Sequence, residues 1–459
     1  MLFSSLSFLY YFLPGVLILY FLVPDRLKNG VLLLASLLFY GWGEPKYLFL
    51  MLLTIGLYYA SGLAMERFPR FRKGILILSV VLGAALLGVF KYADFFVTTV
   101  NQMFGSRLPL LRLSLPVGIS FYTFQCISYA ADVYRGDTEP QKNFIAFGAY
   151  VSMFPQLIAG PIVRYVDVAP ALSRRKHSRE DLALGLRRFL VGLGKKILLA
   201  NQLGALTQSY RDSSEPTVLF SWLYAAAFLL QIYYDFSGYS DMAIGLGRIF
   251  GFRFPENFDY PYCSRSITEF WRRWHMSLGS WFRDYVYIPL GGSRVSRIKW
   301  VRNILVVWML TGLWHGASWN FVLWGLLFAL LLLLEKALPG LKKLPGISGT
   351  CYVVLTVMAS FVLFNADSLS QAGSDLLRLV GLGGIPAGST ESLYCLRSNL
   401  VLLAVSALGA TPLPKKLWQR YESRPFMTVL EPVCLLLLLL LSTAYLVDGS
   451  FNPFLYFRF

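Results

Sequence analysis

The sequence predicts an all-α polytopic membrane protein with about eleven membrane segments, re-entrant and surface helices among them. Three observations predict it. Apolar residues make up 56% of the 459 residues and charged residues only 15%, where roughly 25% charged is ordinary for a soluble domain. Long apolar runs recur along the chain. Lys and Arg, which outnumber acids enough to give a net charge of +17, gather in a few stretches. The 11 Trp and 27 Tyr fit the same class, because their rings are apolar at one end and polar at the other and favour the membrane interface.

The first run, Ser7 to Val23, has no basic segment before it and no charge from Leu2 onward. It reads as a retained first helix, not a cleaved signal peptide. Gly74 to Phe90, Leu115 to Ala131, Ala146 to Ile162, Val218 to Tyr234, Phe321 to Leu334 and Leu435 to Val447 follow. Several approach the roughly 20 residues a helix needs to cross a bilayer core. In hydrocarbon every backbone N–H and C=O must be satisfied within the segment, so these runs are expected to be helical.

The basic stretches are Arg67 to Lys73, Arg164 to Lys196, Arg248 to Arg302 and Lys415 to Arg424. The positive-inside rule assigns them to the cytoplasm and leaves the Arg211 to Pro216 loop outside. Topology accounts for most of this charge. It permits an anionic cytoplasmic partner (lipid, acidic carrier or cofactor phosphates) and gives no ground for a nucleic-acid partner. Gly251 to Arg302 is the longest non-spanning region. Within it Phe270, Trp274, Leu278, Trp281 and Tyr285 recur at helical spacing, which predicts one amphipathic surface helix over Thr268 to Tyr285, ended by Pro289, Gly291 and Gly292. Turns are expected at Gly340 to Gly349, Gly381 to Pro386 and Pro412 to Pro414. No stretch between helices is long enough to bury its own core, and no repeat or duplicated half is evident. Residues 1–459 read as one integral-membrane domain.

Five scattered cysteines without a C-x-x-C pair give no disulfide framework or zinc site, and no metal is expected. Of three histidines, His177 lies in a basic loop and reads as solvated. His315 lies in apolar sequence. Twelve residues from Asn303, at 1.5 Å each, carry it about 18 Å inward, near the middle of a core roughly 30 Å thick. An ionisable group at that depth is a functional candidate by default; its bland reading is a neutral ring bridging two helices. Asn303 to Leu334 is too long for one straight span, and Gly312 and Gly316 are where it is expected to loosen or break. His275, between Trp274 and Met276, reads by itself as a packed ring. Asp235 and Asp241, in Tyr234 to Asp241, read first as carboxylates holding helices together through Tyr, Ser or Arg. No H-E-x-x-H, Walker, Rossmann or G-x-S-x-G pattern occurs.

At particular motifs the sequence resembles the membrane-bound O-acyltransferases, and most nearly the bacterial branch containing the membrane component of alginate O-acetylation. These are Leu115-Pro-Val-Gly-Ile-Ser-Phe-Tyr-Thr-Phe-Gln125, Asp132 to Gly136, Phe154 to Ile162, Tyr233 to Asp241, Phe270-Trp-Arg-Arg-Trp-His275, Trp281 to Tyr285 with Ile288 to Gly292, Thr311-Gly-Leu-Trp-His-Gly316, and the tail Phe451 to Phe459. The likeness spans essentially the whole chain.

The resemblance implies a ring of tilted helices around a central funnel, with His315 as the essential histidine at the bottom of a cytoplasmic well. It gives His275 the family's second polar position. It puts Trp271, Arg273, Trp274, Trp314, Asn320, Asp235, Tyr239 and Asp241 in the substrate funnel. It implies a bacterial inner-membrane enzyme taking acetyl from acetyl-CoA or another cytoplasmic acetyl thioester, with no bound cofactor. The acetyl group is expected to cross the membrane to an extracytoplasmic acetyltransferase partner and then to an exported, alginate-like polysaccharide. Related proteins transfer D-alanine toward teichoic acids or acetylate peptidoglycan or cellulose, and they share these motifs. A lipid acyltransferase, with membrane lipid as acceptor, and a non-catalytic transporter of the acyl donor are the rival readings.

Overall fold

The computed structural model describes residues 1–342 and 344–449; the tail motif Phe451 to Phe459 lies outside the described residues. Among these the chain is helical without a strand, the nearest thing to a sheet being an isolated antiparallel bridge between Phe258 and Trp274. Among the described residues seven helices are long and apolar enough to cross a membrane: Pro45–Arg67, Pro69–Phe104, Val218–Ile249, Trp319–Ala337, Gly346–Phe364, Thr390–Gly409 and Met427–Asp448. A shorter apolar helix, Phe8–Leu22, precedes them.

Further apolar runs form shorter helices. The apolar run from Leu115 folds as Ile119–Arg135, entered through Gly118 in a left-handed conformation (φ 75°). The run from Ala146 is split at Met153 into Phe144–Ser152 and Phe154–Leu157. Both are largely buried within the protein, as Tyr122, Tyr129, Phe147, Tyr150 and Phe154 are. Hydropathy responds alike to lipid and to a protein interior. Short apolar runs of this kind belong to the interior.

Two compact units divide the chain. The first comprises Met1–Phe189 and Ser240–Pro255. Its core includes Phe3, Phe8, Phe12, Phe39 and Phe154, packed ring on ring at 4.8–6.3 Å between centroids. The second comprises Leu190–Tyr239 and the chain from Glu256 onward. Its core is built on Tyr224, Phe228, Phe270, Trp274, Trp324 and Phe361. The candidate chemistry lies in this second unit.

Candidate active site

The Arg297–His315 helix ends at His315 itself. Gly316 is extended, and Trp319–Ala337 returns as the second arm of a helical hairpin. The expected break therefore falls at Gly316. Gly312 does a different job: a Cβ there would collide with the Phe321 carbonyl, and one on Gly325 with the Trp308 carbonyl. Two glycines thus let the arms approach at backbone distance, as small residues do between membrane helices.

His315 is buried by aromatic rings. Its imidazole meets Trp314 at 5.0 Å, Trp324 at 5.1 Å and Phe364 at 5.3 Å between centroids. Phe364 is the last residue of Gly346–Phe364. Asn320 reaches the same place, donating from Nδ2 to the Ala366 carbonyl.

The expected continuous helix over Thr268 to Tyr285 is not formed. Ile267–Arg273 stops at Trp274, and Met276–Phe282 starts after His275, which takes a left-handed conformation (φ 45°, ψ 52°). Nor is the segment a surface face, since Phe270, Trp274, Leu278 and Trp281 are all buried. The reason is the antiparallel crossing of Asn257–Asp259 with Arg273–Met276. Asp259 N–H donates to the Arg273 carbonyl (2.9 Å) and Met276 N–H to the Asn257 carbonyl (3.0 Å). The non-glycine left-handed residue costs on the order of 1–3 kcal/mol, a cost that tends to persist at functional sites.

The kink turns His275 inward, to 2% exposure. Its ring lies edge-on to Phe236 at 4.6 Å and meets Trp314 at 5.6 Å. Trp314 therefore touches both histidines. His275 Nδ1 is 3.1 Å from Asn257 Oδ1, which also accepts from Ser277 N–H (3.3 Å) and Ser277 Oγ (2.9 Å). The backbone donor fixes this amide atom as the oxygen, so Nδ1 carries the imidazole hydrogen and Nε2 keeps its lone pair. Burial, reinforced by His315, holds the His275 pKa well below its ordinary 6.5.

The remaining predicted site residues separate. Trp271 packs on Trp308 (4.7 Å), Phe328 (4.8 Å) and Trp324 (5.6 Å), behind the His315 ring. Trp274 points the other way, onto Phe270 and Phe361. Arg273 pairs with Glu269 at 2.8 Å, both about one-third exposed. Asp235 forms a buried ion pair with Lys196 (2.5 Å). In the first unit, Asp241 accepts from Nε and Nη2 of Arg188 (3.0 and 2.9 Å). Tyr239 is buried in the helix that carries both aspartates. His177 is not a freely solvated ring: its Nε2 lies 3.0 Å from Tyr20 Oη, and burial first, then Lys28 and Arg175, lower its pKa.

Sequence reasoning missed Asn257, Trp324, Phe364, Lys196 and Glu335. Glu335 is fully buried and caps the Ile267–Arg273 helix, accepting from Ile267 N–H (2.5 Å), Thr268 N–H (3.0 Å) and Thr268 Oγ1 (2.6 Å). None of these carries a local signal. Asn257 and Glu335 matter through partners 18 and 68 residues away.

A chain of hydrogen bonds begins one residue after Phe364, the ring that packs on His315. Next to Phe364, Asn365 Nδ2 donates to Tyr224 Oη (2.8 Å); Arg211 donates to the same oxygen and, through Nη1, to Asp375 (2.7 Å). Residues 211–217 and 365–389 join through Val218 N–H to Pro386 O (3.1 Å), and they are poor in Lys and Arg.

The model of the membrane-bound O-acyltransferase family matches residues 139–366. The chain is 38% identical to a probable alginate O-acetylase of Azotobacter vinelandii over 100% of both proteins. It is 44% identical to the protein of the same name from Pseudomonas aeruginosa, over 81% of this chain and 73% of that protein. It is 33% identical to a peptidoglycan O-acetyltransferase of Helicobacter pylori, over 84% of this chain and 81% of that protein.

Proposed function

This chain belongs to the membrane-bound O-acyltransferase family, and is a multi-pass membrane O-acyltransferase; from that premise we propose that it moves acetyl groups from a cytoplasmic thioester to an exported polysaccharide. The observation that carries the reading is the pair His275 and His315, both buried and both packed on Trp314. A buried imidazole stays neutral, as a general base must.

In this reading acetyl-CoA or another acetyl thioester is the donor. The accepting hydroxyl attacks the thioester carbonyl as His315 takes its proton. The C–S bond then breaks, and the proton passes to the departing thiolate. His275 offers its Nε2 lone pair to orient the reacting hydroxyl. Trp271, Trp314 and Trp324 keep water from the thioester. The link from Phe364 through Asn365, Tyr224 and Arg211 to a Lys/Arg-poor face supports handover to an extracytoplasmic partner protein. The names of the alginate O-acetylase relatives support an alginate-like acceptor, and a bacterial inner-membrane location follows from it. Among the alternatives, acetylation of peptidoglycan has the support of the Helicobacter relative.

The test is the acetyl-ester content of exported glycan in cells lacking this protein, complemented with wild type or His315→Ala at equal membrane abundance. Restoration by wild type alone is expected. Restoration by both makes His315 structural and favours the transporter reading. Restoration by neither moves the assay to peptidoglycan, D-alanyl and lipid esters.

A further inference from the structure

The first unit holds a cavity of about 510 Å³, walled by Arg26, Lys28, Arg174, Arg175 and Lys176, with Asp25 as the one carboxylate among its lining residues. Asp25 is 85% exposed and pairs with Lys28 at 2.7 Å. Five cations thus face the concavity against one exposed carboxylate in its wall.

Arg175 is built in. Its Nη2 donates to Asn29 Oδ1, and Asn29 in turn donates from Nδ2 to the Leu172 carbonyl (2.9 Å). Its guanidinium lies over the rings of Phe252 (4.8 Å) and Tyr20 (5.6 Å). Lys28, itself buried, lies over Tyr20 at 5.3 Å. Arg175 Nη1 is buried and has no hydrogen-bond partner in the protein. The positive-inside rule explains why cations sit at this end of the chain's helices. It does not explain why they converge on one concavity, or why a guanidinium is clamped there with a dry N–H. Like charges held together at this spacing repel, and a buried unpaired donor costs free energy. An anion with several acceptor oxygens relieves both, and a planar guanidinium fork suits phosphate.

We propose that this pocket is a binding site for a phosphate-bearing ligand on the cytoplasmic face. Arg175 is the preset fork, and Arg174, Lys176 and Arg26 are exposed counter-charges. Two sources carry that chemistry: the phosphates of a nucleotide-bearing thioester donor, and the headgroup of an anionic phospholipid. The site stands on the geometry of the first unit alone, so its failure leaves the acetyl-transfer reading untouched.

The full chain is purified into nanodiscs of neutral phosphatidylcholine, and coenzyme A is titrated in by calorimetry. In parallel, native mass spectrometry counts phosphatidylglycerol retained from a mixed bilayer. The test variant is Arg174→Gln with Lys176→Gln, two exposed positions whose loss leaves the core intact; thermal unfolding checks that it is folded. Saturable binding of one probe is expected, weakened about ten-fold or more in the variant and by added salt. Arg175→Lys, which keeps charge but removes the fork, is expected to weaken the same probe. Coenzyme A binding identifies the donor as the source, and selective phosphatidylglycerol retention identifies the lipid. Binding of that probe at unchanged strength in the folded double variant, or of neither probe to wild type, overturns the proposal.

Discussion

His275 Nδ1 lies 3.1 Å from Asn257 Oδ1, an oxygen held in place by the backbone N–H and hydroxyl of Ser277. The arrangement makes Asn257 the residue that chooses the tautomer of His275, although it lies 18 residues earlier in the chain. Asn257→Ala removes that choice and the oxygen that accepts from the Ser277 N–H and hydroxyl. Transfer is expected to fall about 10²-fold, the lower end of what a positioned acid–base group contributes. Asn257→Asp retains the acceptor but adds a carboxylate, which favours the imidazolium and raises the His275 pKa. The acid limb of the pH–rate profile should then move to higher pH. A limb that stays put in Asn257→Asp would show that His275 does not take part in transfer.

The depressed pKa of His275 also sets a stability dependence. Its native-state value lies well below 6.5, so below about 6.5 the unfolded chain binds a proton that the native chain does not. Stability is lost as pH falls from there toward the native-state value, and is recovered as pH rises. His177, lowered as well, adds in the same direction. Thermal unfolding of His275→Asn in detergent between pH 7 and pH 5 should show a shallower decline than wild type. Equal slopes would mean that the ring is solvated in the native protein.

The buried pair Lys196–Asp235 separates a structural from a functional role for Asp235. Removing one partner strands a charge in the interior, so Lys196→Met or Asp235→Asn should each cost about 3–5 kcal/mol. Replacing both, Lys196→Met with Asp235→Leu, should recover much of that loss. If the double variant folds and transfers acetyl, Asp235 only holds helices together. If it folds and is inactive, the carboxylate belongs to the substrate path.

The class of the molecule and the depth of His315 were legible because each is a local signal, whereas His275 by itself read as a packed ring and entered only through the resemblance. Apolar runs report hydrocarbon or interior, and a histidine inside one is conspicuous. The break after His315 was legible for the same reason: a hydrophobic stretch too long for one span, with glycines in it. What was not legible depended on distant pairing. The period of Phe270, Trp274, Leu278 and Trp281 was read correctly as apolar spacing and wrongly as one surface helix, because the crossing segment Asn257–Asp259 that kinks it at His275 leaves no trace in the local pattern. Lys196 looked like one more topological charge until its ion pair with Asp235 was seen.

The helical hairpin rests on two glycines whose replacement has a calculable obstacle. Gly312→Ala drives a methyl into the Phe321 carbonyl, and Gly325→Ala drives one into the Trp308 carbonyl. Backbone atoms have no rotamer by which to yield. Each variant should lose about 1–3 kcal/mol and, by separating the arms, displace His315 from Trp324. Gly74→Ala meets no atom within 4 Å and serves as the control. Thermal unfolding and acetyl-ester assays on all three variants at equal abundance check this. Wild-type behaviour of Gly312→Ala would mean that the arms are not packed this closely.

Glu335 acts on the site from outside it. Its carboxylate caps the helix that ends at the His275 kink, accepting from two backbone N–H groups and the Thr268 hydroxyl. A carboxylate at a helix N-terminus is favoured by both the unsatisfied donors and the helix dipole. Glu335→Ala leaves the Ile267 and Thr268 N–H groups unpaired and should cost about 1–3 kcal/mol. With the cap lost, the Ile267–Arg273 helix is free to shift, and with it Trp271, which packs on Trp324 beside His315. Glu335→Gln keeps one acceptor oxygen and should restore most of the stability. Transfer rate at saturating donor and thermal midpoint, measured together, separate the two effects. A Glu335→Ala protein with a lowered midpoint but an undiminished rate would mean that the capped helix carries stability alone and does not position the histidine pair.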